Sequence, residues 1–240
     1  MRQWSIVRWG LVGLGAFCLV GGISSAEAKP KLTAKLNVKS KRFTSPAAKW
    51  GWQIPPKFKT LKTKEKKRLR AGKVTVILKD LKNEKGKKML VTLTRSIIKR
   101  PPKDVFKTMA QLSKAHKFMP RMFYSKVKKK LAPNVFYVIR KLKVAWVVVV
   151  MHMRVELRKP SRYLYSLIPG FKNGIKESIG AMTFEPINGG KHTMLTQCNY
   201  VDTGRWVPGF IRRPILRRDL PGVQRAIRKR TTSNQTWKKK

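Results

Sequence analysis

Residues able to carry acid–base, nucleophilic or metal chemistry are sparse in this 240-residue chain, and none is grouped. His116, His152 and His192 stand far apart, without the Cys, Asp or Glu partners at the spacing a metal site needs. A lone histidine in or beside a strand is far more often a surface or satisfied residue than a ligand. Cys198 sits in a strand-like run with no base beside it, which fits a small buried apolar group rather than a nucleophile. No nucleophile elbow, phosphate-binding loop or dinucleotide fingerprint occurs. The sequence therefore assigns no catalytic residue, no metal and no cofactor. What remains is the chemistry of binding. Gln197 and Asn199 lie two apart in "KHTMLTQCNYVD". If they face inward each needs a partner, which a ligand oxygen or an ordered water supplies. Just beyond, Asp202 and Arg205 form a candidate polar clamp for a ligand head group. A turn aspartate bracing the next segment is the plainer account of the same pair.

Positioning these residues falls mostly to strands. "VTVILKD" and "MLVTLTRSII" read as two strands joined by the turn-prone "NEKGKK". "RPPKDVFKTMAQLSKAHKFMP" turns helical. Pro101 and Pro102 suit a first turn, Val105, Met109 and Leu112 recur at helical spacing, and Pro120 ends the segment. Strand signals then follow without another helix: "MFYSKVKKK", "NVFYVIRKLK", "WVVVVMHMRVEL", "RYLYSLI", "SIGAMTFEPI" and "KHTMLTQCNYVD". Between them lie "LAPN", "RKPS", "PGFKNG" and "INGG", and Asn188-Gly189 is a strong hairpin signal because both positions tolerate positive φ. Consecutive hairpins predict a curved antiparallel sheet. Along 145–157, Ala145, Val147, Val149, Met151, Met153, Val155 and Leu157 alternate onto a dry face, with His152, Arg154 and Glu156 on the other.

The segment "VPGFIRRPILRRDLPGVQRAIRKR" supplies the sheet's cover. Asp219 takes the N-cap position with Pro221 in the first turn, and Leu216, Leu220, Val223 and Ile227 form an apolar stripe. Arg217, Arg218, Arg225, Arg228 and Lys229 fall largely off that stripe. The amphipathic helix is predicted to lie across the concave sheet, which has no other cover of its size.

Charge and the N-terminus bound the partners. With 57 Lys and Arg against 10 Asp and Glu, the net charge is +47, which speaks to polyanionic partners rather than to fold. "MRQWSIVR", the apolar run Trp9 to Ile23 and the A-x-A pair Ala26 and Ala28 read as a signal peptide, residues 1–28, cut after Ala28. The expected location is therefore outside the cytoplasm, in a bacterial periplasm. There the polyanions are lipid head groups and envelope polymers rather than nucleic acid. Cys198 alone remains after that cut, which excludes an internal disulfide. Residues 29–73 hold 16 Lys and Arg and one acid, Glu65, interrupted by Pro30, Pro46, Pro55 and Pro56, and read as a flexible basic arm. Its Trp50, Trp52 and Phe58 suit a membrane interface or packing on the domain equally well. Residues 231–240 read as a frayed basic tail, leaving 74–230 as the folded domain. The sequence does not fix an oligomeric state.

The order strand, strand, helix pair, strand meander and long C-terminal helix is that of the α+β helix-grip fold, and the chain here resembles the START-like, or SRPBCC, superfamily. It is most similar to the polyketide cyclase/dehydrase and lipid-transport branch, which includes coenzyme-Q-binding proteins. Four stretches carry the likeness: "PPKDVFKTMAQLSKAHKFMP", "VVMHMRVELRKPSRYLYSLI", "IGAMTFEPINGGKHTMLTQCNYVDTG" and "WVPGFIRR" with "LPGVQRAIRKR". Met182 stands where the family usually has an aromatic, and Gln197 where it often has tyrosine. The resemblance implies a cavity between a curved antiparallel sheet and the long C-terminal helix, in which relatives hold lipids, sterols, quinones or polyketides. Combined with strand alternation, it nominates Met151, Met153, Tyr163, Tyr165, Met182 and Phe184 as lining. Leu195, Gln197 and Asn199 add to them from the last strand, and Ile211, Ile215 and Val223 from the helix. The bland account is that these residues only fill a core.

Three functions compete. The first is an exported carrier of a hydrophobic molecule or lipid whose basic arm docks on an anionic membrane surface. The second is a cyclase or dehydratase using the same cavity, which needs an acid–base group inside it. The third is a polyanion-binding envelope protein with no ligand. The fold does not choose among them.

Overall fold

The computed structural model describes residues 60–82, 88–144, 147–202 and 209–239. The expected signal peptide and the arm as far as residue 59, including Trp50, Trp52 and Phe58, lie outside the described residues. A short helix α1, Thr63–Arg70, leads into strands β1, Thr75–Lys82, and β2, Lys88–Ile98. Helix α2, Pro102–Met109, and a 3-10 turn, Leu112–Lys117, follow. Then come β3, Met122–Ala132, β4, Val135–Val144, β5, Val147–Arg158, and β6, Arg162–Leu167. Strands β7, Glu177–Ile187, and β8, His192–Asp202, precede the long helix α3, Gly209–Thr232.

The eight strands form one sheet in the order β1-β2-β8-β7-β6-β5-β4-β3, every neighbouring pair antiparallel. The hairpins turn where the sequence permits positive φ. Asn134, at φ 62, follows Pro133 between β3 and β4. Asn188, Gly189 and Gly190, at φ 51, 61 and 80, link β7 to β8.

Register carries a single face from strand to strand. Thr94, Gln197, Met182, Tyr163 and Leu157 stand in one row, and Thr92, Asn199, Gly180, Tyr165 and Val155 in the next. This is the concave face. Helix α3 packs over its β1–β2 side and against α2. It presents Leu220, Gln224, Ile227 and Thr231, all buried, at helical spacing. The core joins Val105, Phe106 and Met109 of α2 to Met153, Tyr163, Phe184 and Leu195 of the sheet and Ile227 of α3. Phe106 meets Phe184 edge to face at 5.7 Å. Burying each such side chain contributes about 1.5–3 kcal/mol.

Three expectations are corrected. Helix α3 starts ten residues before Asp219 and runs through Pro214 and Pro221, so Asp219 is no N-cap. It instead pairs with Arg121 at 2.8 Å. Each proline forfeits one helical hydrogen bond, and packing of the buried stripe from Leu220 onward carries the helix past Pro221. The segment 101–120 forms two helical pieces, as the helix pair of the resemblance implies, separated at Gln111 with ψ 57. The basic arm does not run unstructured to residue 73. Its α1 buries Leu69 and sets Glu65 against the buried Arg95 at 3.1 Å. Nor is the tail frayed. Trp237 packs against the core cluster, its backbone carbonyl accepts from Arg230 at 2.7 Å, and Lys239 Nζ donates to the Met119 carbonyl at 2.9 Å.

Candidate functional site

A belt of polar side chains crosses the buried concave face from β4 to α3. At its centre Tyr165 of β6 donates its phenolic hydrogen to Asn199 Oδ1 of β8. Gln197 Nε2 makes a long contact to the same phenol at 3.5 Å. Gln224 of α3 then donates to Gln197 Oε1 at 3.3 Å and to Thr94 Oγ1 at 2.9 Å, while Ser96 Oγ donates to Gln224 Oε1 at 2.7 Å. Gln224 is fully buried, so its amide is a polar anchor between helix and sheet. Burial pushes the Tyr165 phenol well above the ordinary tyrosine range, keeping it a donor at neutral pH. Among the described residues no carboxylate and no histidine belongs to this belt.

At the other end, Arg140 of β4 faces the same interior, in register with Met151 of β5 and Ser125 of β3. Its Nη2 donates to Tyr163 Oη at 2.6 Å, and its Nη1 lies 4.0 Å from the Met153 sulfur, the most buried thioether of β5. Its Nε has no partner, although the residue is only 8% exposed. Among the described residues no carboxylate lies within ion-pair distance of it.

Gly180 makes the belt possible. A Cβ at this position would collide with the ring of Tyr165 and lie 2.6 Å from Asn199 Oδ1. The phenol reaches across β7 only because that strand has no side chain there.

His152 lies on the opposite face, as the alternation requires. Its ring stacks on Phe171 at 4.5 Å, and Tyr137 Oη lies 2.7 Å from its Nδ1. Burial lowers its pKa, which favours the neutral ring beside the phenol. Cys198 also faces away from the belt, buried with Leu81, Val91 and Leu93. Burial pushes its thiol up to about 12, against a nucleophilic role. No group of three or more His, Cys, Asp or Glu able to hold a metal occurs among the described residues.

Of the nominated residues, Met153, Tyr163, Tyr165, Met182, Phe184, Leu195, Gln197 and Asn199 are buried on the concave side. Met151 and Val223 are half-buried and packed against the same cluster. The side chains of Ile211 and Ile215, and the whole of Arg205, lie outside the described residues, so the structure does not place the clamp that Arg205 would form with Asp202. Sequence reasoning missed Arg140, Gln224, Thr94 and Ser96. The signal for Arg140 was present: Phe136, Val138 and Leu142 alternate with it on one face of β4. A separate pocket of about 190 Å³ opens against α3, lined among others by Phe118, Arg225, Lys229 and Trp237, and it shares no residue with the belt.

No family model and no curated protein matches the chain in sequence. Solved structures do match in fold. One is a STAR-related lipid transfer protein fragment from Xanthomonas axonopodis, at 14% identity and a TM-score of 0.57 over 66% of this chain and 93% of that one. A second is the ZhuI aromatase/cyclase from Streptomyces sp. R1128, at 12% identity and a TM-score of 0.53 over 60% of this chain and 94% of that one. A third is the protein TTHA0849 from Thermus thermophilus, at 12% identity and a TM-score of 0.53 over 61% of this chain and 99% of that one. At these identities the likeness is one of fold. The chain has the α+β, START-like helix-grip fold, and its structural neighbours are START/SRPBCC superfamily proteins.

Proposed function

We propose that this chain binds a hydrophobic small molecule or lipid between the concave sheet and α3, and does so outside the cytoplasm at an anionic membrane surface. The observation that carries the reading is the buried belt Tyr165–Asn199–Gln197–Gln224 amid methionine and aromatic side chains. A core serving stability alone is better built without polar groups, since each must be satisfied against its desolvation cost. A concave apolar wall with a few placed polar groups is what a small-molecule site requires. The neighbouring folds include a STAR-related lipid transfer protein and an aromatase/cyclase, and both names favour an apolar guest. Between those two, the belt's make-up of amides, hydroxyls and a phenol, with no carboxylate or histidine among the described residues, favours carriage over acid–base chemistry.

Docking rests on charge. The free edge strand β3 exposes Lys126, Lys128, Lys129 and Lys130. Residues 29–59 contain nine Lys and Arg and no acid. Each cation near an anionic leaflet contributes about 1 kcal/mol, screened by salt over ~8 Å at physiological strength. Native mass spectrometry of protein purified from its own cell envelope tests the binding reading. A co-purifying lipid, quinone or polyketide released on denaturation supports it, and a bare mass under gentle ionisation removes it. Vesicle flotation at rising salt tests docking: retention on anionic vesicles must fall with salt, and must be absent on neutral ones.

A further inference from the structure

Arg140 carries a charge into the concave interior that no carboxylate among the described residues meets. An arginine does not neutralise itself by losing a proton, so its burial leaves a full positive charge in a site of low dielectric. Among the described residues its one short hydrogen bond is to Tyr163 Oη at 2.6 Å. The phenol disperses some of the charge and cannot cancel it. Its buried Nε has no partner, and Nη1 donates only to a thioether, a weak acceptor, at 4.0 Å, so the fork's hydrogen-bonding capacity is poorly used. A buried charge is ordinarily paired, and this one has no carboxylate in reach among the described residues. Val138, Leu142, Met151 and Met153 surround its position in the sheet, so the missing anion must arrive attached to something apolar.

We infer that the ligand is an amphiphile carrying one buried anionic group, a carboxylate in the simplest case, which the Arg140 guanidinium receives with Tyr163 beside it. The inference rests on the binding reading above and adds the charge of the guest and the residue that selects it. Arg140 acts here as a specificity determinant. Charge-assisted hydrogen bonds to a carboxylate are worth about 1.5–3 kcal/mol, roughly 10–150-fold in affinity over an uncharged analogue.

The test uses the full chain freed of co-purified lipid and two fluorescent probes of equal length, cis-parinaric acid and its methyl ester. Titrations run at about 1 M salt, where a screening length of ~3 Å silences the basic surface. Wild type is expected to bind the acid at least tenfold more tightly than the ester, and Arg140→Met to bind the two alike. Arg140→Gln replaces R140M if that variant fails to fold. Equal wild-type affinities for acid and ester overturn this inference and leave the carrier reading standing, the open donors then being served by water. An acid preference that survives in R140M also overturns it, by placing the selectivity elsewhere. If neither probe binds, the carrier reading falls and this inference with it.

Discussion

Tyr165 reaches Asn199 by passing its phenol over the bare backbone of Gly180, the β7 residue that lies between them in the sheet. Three strands are thus tied on their buried side by one hydrogen bond, and the tie depends on an atom that is missing. Substitution Gly180→Ala should therefore act as overpacking rather than as a loss of backbone freedom. The expected cost is about 1–3 kcal/mol in chemical denaturation. Combined with Tyr165→Ala, which vacates the space, the glycine substitution should cost far less than alone. A double-mutant cycle with no coupling between the two positions would contradict the geometry.

Removing Arg140 should separate stability from binding. Replacing a buried, unpaired charge by an apolar side chain of similar length is often neutral or stabilising. The loss of the Tyr163 partner offsets part of that gain. Ligand-free Arg140→Met is therefore expected to melt at or above wild type, by up to about 1 kcal/mol or ~4 °C. A drop of more than about 2 kcal/mol would assign Arg140 to the scaffold instead.

The convex face should make the fold sensitive to mild acid. Burial depresses the His152 pKa below its usual 6.5, and the neutral ring shares a 2.7 Å hydrogen bond with Tyr137 Oη. A base whose folded pKa is lowered takes up protons more readily when unfolded. Its contribution is fully present above the unfolded value, is lost as pH falls through 6.5, and stops changing below the folded value. Melting temperature should decline in that window. His152→Gln should flatten this part of the profile while lowering stability at neutral pH. An identical slope in wild type and variant would exclude His152 as the cause.

The architecture was legible because the sheet writes itself in period two. β5 shows the principle: Met153, Val155 and Leu157 alternate with Arg154 and Glu156, so one buried face is readable residue by residue. The same rule put His152 on the polar side of its strand, as the structure has it, but left the direction of Gln197 and Asn199 open; register and burial now set both on the concave face. What alternation does not encode is who meets whom across the sheet. Gln224 lies 27 positions from Gln197 and 130 from Thr94, so its role needed the register and the helix placement together. Arg140 was passed over for a different reason. Lysines and arginines are so frequent here that one more in "VIRKLK" looked like background, although its neighbours two away are apolar. Asp219 followed by Leu220 and Pro221 imitates a helix start, and only the packing of α3 shows that the helix is already under way.

The boundary of the basic arm determines how docking should be tested. Deleting residues 29–73 removes α1 along with the charge, and α1 is structural. Leu69 is 2% exposed, and Glu65 meets Arg95 at 3.1 Å where the arginine side chain is only 4% exposed. The deletion removes the Glu65–Arg95 ion pair, and loss of the buried Leu69 contact costs about 1.5–3 kcal/mol more. That deletion is expected to fold poorly, so lost vesicle binding in it would carry no information about charge. Deleting residues 29–59 leaves α1 whole and removes nine cations and no acid. This shorter deletion should melt within about 1 kcal/mol of the parent, keep probe binding in the interior, and lose most of the salt-sensitive retention on anionic vesicles. Retention undiminished in the shorter deletion would move the docking surface to the β3 edge, where Lys126 and Lys128–Lys130 remain exposed.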